Sequence, residues 1–192
     1  MREPVPGVDD KWRHLESPHF ELYSRISDGD ARDFLRNLEL LRAVFIEALL
    51  VREVVPLEVR IFCFRDERSF EAYAAKVGMG GKLEAFYLSW PDRGVIVVGP
   101  AFDSLEARRV IFHEYIHHLT TVVGDVPALW YREGVAELFS TMEENGNDVV
   151  LGKPLPGHVV GLRTEGLMSL SNLFSIGKGD PYYNETYRVG QM

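Results

Sequence analysis

The chain has 192 residues, 46% of them hydrophobic and 26% charged, ordinary values for a globular protein that can bury a core without staples. A formal charge of −8 with no basic cluster argues against nucleic acid or anionic lipid as a partner. The lone cysteine, Cys63, excludes an internal disulfide and a cysteine-paired zinc site, and no stretch is long enough to span a membrane.

Residues 1–12 are rich in Pro, Gly and Asp and read as a loose lead-in. The opening MREPVPGVDD lacks the apolar core of a signal peptide, which fits a cytoplasmic protein, or an exported one whose leader has been removed. His19–Ser24 alternates as a short strand. Ser27, Asp28 and Asp30 are N-cap candidates for a helix over 29–51, in which Phe34, Leu38, Leu41, Phe45 and Leu49 recur at helical spacing. Leu57–Phe64 is a strand with Val59, Ile61 and Cys63 on one face, and Arg65–Val77 a helix closed by Gly78. Lys82–Trp90 and Arg93–Val98 form two strands joined by a tight turn at Trp90-Pro91-Asp92-Arg93. A helix over 103–123 follows, then another over 127–142 with Asp125 as cap and Pro127 in its first turn. Beyond Asn145 the pattern weakens, with a short helix expected within Leu167–Phe174.

The chemistry concentrates in His113-Glu114-Tyr115-Ile116-His117. Helical residues four apart lie about 40° apart around the axis and one turn along it, so both imidazoles point the same way and can share one metal. Glu114 lies about 60° to the side of His117, suited to a water on the metal rather than the metal itself. Phe112, Ile116, Leu119 and Val123 form one apolar stripe and Ile111, Tyr115 and Val122 another, so the helix is expected to be buried on most sides. The competing explanation is a pair of core histidines bonded to backbone carbonyls. His118 points elsewhere and is expected to be packed or hydrogen-bonded.

A catalytic zinc takes three protein ligands and leaves one position open. Glu133 follows a turn at Gly124-Asp125, and if the two helices fold back on each other it arrives level with His117, both being ~9–12 Å from that turn. Glu137 sits one turn deeper. The two carboxylates repel at this spacing unless one binds a metal while the other hydrogen-bonds a ligand histidine. A solvated acidic stripe through Glu133, Glu137 and Glu144 is the bland alternative.

HEYIHH followed by WYREGVAELF resembles the gluzincin peptidases, and the order of elements is similar to bacterial peptidase-MA-like proteins, with Trp12–Phe20 similar to their opening. The resemblance covers roughly residues 12–142 and is specific at 113–117 and 130–139. It implies Zn2+ held by His113, His117 and Glu133, with Glu114 as general base and Glu137 as a supporting acid. It implies a zincin-like α+β fold: a long N-terminal helix, a small mixed sheet of about four strands, an HExxH helix and a second ligand-bearing helix, in a single domain over 1–192. It also implies that part of Arg93–Val98 is an edge strand pairing with extended substrate, although the apolar run Val95–Val98 equally fits an ordinary core strand.

Three departures stand out. The gap from His117 to Glu133 is shorter than in thermolysin, and by bare spacing Glu137 would be the ligand; Glu133 is preferred because Gly-x-Ala follows it and the turn is short. Arg132 replaces the asparagine common before the glutamate. The family continues with an aromatic-rich helix after a segment like NETYRVGQM, which leads to the expectation of a fragment. The expected activity is water-mediated hydrolysis of peptide or protein substrate; the alternative is a non-catalytic, peptidase-like domain that binds zinc or a partner. Tyr131, His158, Tyr182, Tyr183 and Tyr187 are oxyanion donors by residue type only, and none is assigned. Oligomeric state and cleavage specificity are not readable.

Overall fold

The structure, a computed structural model, describes residues 12–49, 58–79, 83–90, 93–122 and 128–177. It is a mixed α and β protein. The chain divides into two compact units, Met1–Gly124 and Asp125–Met192. Among the described residues, no helix is long and apolar enough to cross a membrane.

The first unit is built on a five-stranded mixed sheet of order β1-β2-β3-β5-β4. Its strands are β1 (Arg13–Glu16), β2 (Phe20–Ser24), β3 (Glu58–Cys63), β4 (Ala85–Ser89) and β5 (Arg93–Val98). The central ladders β2–β3 and β3–β5 are parallel, and the flanking ladders β1–β2 and β4–β5 are antiparallel. The parallel connections require crossovers, which α1 (Asp28–Ala48) and α2 (Glu67–Lys76) provide. Helix α3 (Leu105–Val122) follows the sheet.

The three helices of the first unit each start at a side-chain cap. Ser27 accepts from the Asp30 N–H at α1, and Asp66 from the Ser69 N–H at α2. Ser104 accepts from the Ala107 N–H at 3.0 Å, so α3 begins two residues later than its apolar pattern suggests. Gly78, at φ 80°, ends α2 in a conformation that costs a residue with a Cβ.

Register assigns the two sheet faces. Leu22, Ile61, Ile96 and Tyr87 stand side by side across β2, β3, β5 and β4, and Tyr23, Phe62, Val97 and Phe86 form the adjacent row on the other face. The second row packs with Phe70 and Tyr73 of α2. The first faces α3, since Phe20 of β2 meets Tyr115 edge-on at 5.0 Å and Tyr87 meets His118. Ile61, Ile96 and Val98 are fully buried. Each such side chain contributes about 1.5–3 kcal/mol of apolar transfer. Cys63 is a buried free thiol in this core.

One role implied by resemblance is overturned here. Arg93–Val98 lies between β3 and β4 and uses both ladder edges, so it has no edge to offer a substrate strand. Residues Gly94–Val98 are all buried, as befits an interior strand with both faces covered. The outer position on that side belongs to β4.

The second unit opens with α4 (Leu129–Ser140), continues through a two-stranded hairpin of β6 (Glu143–Asn145) and β7 (Asp148–Val150), and ends with α5 (Pro156–Glu165) and α6 (Leu170–Ser175). Gly146, at φ 64°, turns the hairpin. The cap of α4 differs from the expectation of Asp125: Ala128 holds that position and offers no side-chain bond. Asp125 and Pro127 lie outside the described residues, as do the Gly80-Gly81 loop, the Pro91-Asp92 pair and positions 50–51 at the expected end of the first helix.

Candidate metal centre

The helix expected to be buried on most sides is so. Ile111, Phe112, Tyr115, Ile116 and Leu119 are at most 2% exposed, while His113, Glu114 and His117 are half-buried. The four-residue spacing brings the rings of His113 and His117 to 4.6 Å between centroids, edge to face at 87°. The His117 carbonyl accepts from the Thr120 hydroxyl at 3.0 Å.

His118 turns away from this pair, as its place on the helix requires. It is 5% exposed and stacks on Tyr115 at 5.9 Å. Its Nδ1 is 2.6 Å from the Tyr87 hydroxyl. Burial, helped by the Arg42 charge, pulls the His118 imidazole down to about 4, so the ring is neutral at neutral pH. Burial likewise pushes the Tyr115 hydroxyl well above its ordinary range, against the opposing influence of Arg42.

In the second unit, Glu133 and Glu137 stand one turn apart on α4, both half-buried. The Arg132 guanidinium lies 3.4 Å from Glu133 Oε1, with the two side chains 17% and 22% exposed. This contact was not foreseen, although the departure at position 132 was its signal. Tyr131 is exposed on the same helix and His158 exposed on α5; Tyr182, Tyr183 and Tyr187 lie outside the described residues.

Among the described residues, His113, His117 and Glu133 are side chains that could hold a metal ion, and so are His14, Glu16 and Glu21. The second group already has a cation. Arg60 Nε lies 2.6 Å from Glu21 and 2.7 Å from Glu58, and the Tyr23 hydroxyl donates to Glu21 at 2.6 Å. Burial raises the Glu21 carboxyl, but hydrogen bonds to Tyr23 and Glu58 and the Arg60 guanidinium outweigh it and hold it down at about 2. The Glu21 bond in turn pushes the Tyr23 hydroxyl up to about 12. A charge-satisfied network of this kind on β1–β3 needs no metal.

Compared with known proteins, the chain matches no family model, and no curated protein or solved structure matches it significantly.

Proposed function

We propose that the protein is a zinc-dependent peptidase whose metal is held by His113, His117 and Glu133. The observation that carries this reading is the pair of half-buried imidazoles, ring centroids 4.6 Å apart, on a helix turn whose neighbours Ile111, Phe112, Tyr115, Ile116 and Leu119 are buried. Imidazole nitrogens presented from one helix face at this spacing are donors that suit a borderline metal such as zinc. A carboxylate from α4 completes the two-histidine, one-glutamate donor set of catalytic zinc sites. The residues present therefore fit the ion.

Bound zinc would supply Lewis acidity toward the scissile carbonyl and a water with a pKa of ~7. Glu114 follows the first ligand directly and takes the proton of the attacking water, then delivers it to the leaving amine. Glu137, one turn from Glu133, is the acid that would support a ligand imidazole. Extended substrate would add to the sheet at β4, the strand that closes the order beyond β5.

A non-catalytic zinc-binding domain of the same build is the second reading, and Arg132 is what favours it. A guanidinium at 3.4 Å from Glu133 Oε1 competes with a metal for that oxygen.

One comparison tests the proposal: zinc content and casein cleavage, with and without chelator, for the wild type and for Glu114→Gln. The expected result is about one zinc per chain in both proteins, with turnover lowered ~10²–10⁴-fold in the variant. Zinc without cleavage in the wild type favours the second reading. A wild-type chain that takes up no zinc ends both.

A further inference from the structure

The buried contact between β4 and α3 is more specific than packing requires. Tyr87 sits on β4, between Phe86 and Leu88, which pack on the α2 face of the sheet. Its own side chain points the other way and reaches His118 Nδ1 at 2.6 Å. His118 is held from its other side by the ring of Tyr115, parallel to within 17°. Tyr115 in turn is seated edge-on against Phe20 of β2.

The space for this contact is made by Gly94 on β5. A Cβ at Gly94 would lie 2.7 Å from the Tyr87 hydroxyl oxygen, 2.8 Å from its Cε2 and 3.0 Å from His118 Nδ1. Real Cβ atoms essentially never come under 3.0 Å of another heavy atom, so a Cβ here would displace the Tyr87 ring end. The glycine is thus required by a hydrogen bond between two other residues, since its own φ lies outside the left-handed region.

The pair has two notable neighbours. His118 directly follows His117, and Tyr87 is the middle residue of the outermost strand on that side of the sheet. One hydrogen bond therefore links β4, which among the described residues has no strand beyond it, to the turn of helix that bears the second imidazole.

We infer that Tyr87 and His118, seated over Gly94, are a positioning pair that fixes β4 against the metal-bearing helix, so that a peptide added along β4 meets the metal in one register. This rests on the peptidase reading above. Neither residue touches the reacting atoms; each acts through the strand or the helix it holds.

The test compares wild type, Tyr87→Phe, Gly94→Ala and His118→Asn. Three quantities are read: zinc content, amide hydrogen exchange of residues 85–89, and KM and kcat on fluorescein-labelled casein. Tyr87→Phe removes only the hydroxyl and keeps the ring, so it should fold as the wild type does. In it, β4 exchange and KM should each rise about tenfold, the scale of one lost hydrogen bond, with zinc content at the wild-type level and kcat within about twofold. Gly94→Ala should do the same or worse, and His118→Asn, which keeps a polar group at the Nδ1 position, should stay closer to the wild type than either. Wild-type exchange and wild-type KM in Tyr87→Phe would overturn the pair while leaving the peptidase reading intact. Faster exchange with an unchanged KM would also overturn it, because the strand would then be held without serving the substrate. A wild-type chain with neither zinc nor cleavage would overturn the peptidase reading, and the positioning role with it.

Discussion

The rings of His113 and His117 meet edge to face, 4.6 Å apart, on a helix whose remaining surface is mostly core. Two basic rings so close gain from a shared cation and lose from a shared positive charge.

Zinc at a hundredfold excess over its Kd stabilises the native state by ~2.7 kcal/mol, which for a chain of this size is a rise in Tm of roughly 5–10 °C. Thermal melts should show that rise in the wild type and lose it in His113→Ala and in His117→Ala. A rise of equal size in both variants would place the metal elsewhere.

Glu133 and Glu137 exchange roles if the bare spacing decides the ligand. With Glu133 on the metal, Glu133→Ala should abolish stoichiometric zinc, while Glu137→Ala should weaken it ~10–100-fold, as losing the partner of a ligand histidine does. Competition with a chromophoric chelator measures both. The reverse order would transfer the ligand to Glu137.

Acid should destabilise the first unit early through Glu21 and Glu39. Both are held below the ordinary carboxylate range: Glu21 at about 2 by the contacts described above, and Glu39 because hydrogen bonds from Ser17, His19 and the His19 N–H, with the His19 charge, outweigh its burial. A carboxyl lowered on folding stabilises the native state at pH above its unfolded value of 4.5, and that contribution disappears as pH falls toward its folded value. Urea midpoints should therefore drop between about pH 4.5 and pH 2, and Glu21→Gln should flatten the drop. An unaltered profile in that variant would remove Glu21 from the account.

Cys63 is fully buried, and burial pushes its thiol far above the ordinary range. A thiol-specific chromogenic reagent should therefore leave the native protein unlabelled and react with one thiol per chain in denaturant. Rapid native labelling would show that the core around β3 opens easily.

Much of this architecture was legible because it is periodic. Phe34, Leu38, Leu41 and Phe45 are buried at the spacing that marked them as one helical face; Leu49 falls off that face because α1 ends at Ala48. Strand β5 matches its expected bounds because Gly99-Pro100 stops it. The histidine pair was legible for the same reason, being set by the helical repeat alone. Elements without a repeat were missed. Arg13–Glu16 is mostly exposed and becomes a strand only by pairing with β2. The β6–β7 hairpin has three residues per strand, although Asn145-Gly146 was a turn signal. Helix α5 carries Gly157 and Gly161, both unfavourable in helices, and its hint was Pro156 at the start. Sheet order is not local at all, so the residues of β5 leave open whether it is an edge or a core strand. The Tyr87–His118 bond spans 31 positions and leaves no trace in any short window.

The strand β4 reads AFYLS, with no charge and no proline, and among the described residues no further strand pairs beyond it. Its outward peptide groups can thus receive any extended chain, whatever its side chains, including the same strand of a second molecule. Nothing in those five residues repels a copy of itself. Crowding the protein would therefore favour head-to-head pairing through β4, which dilution would reverse, and a molecule so paired would have covered the edge at which the proposed substrate adds.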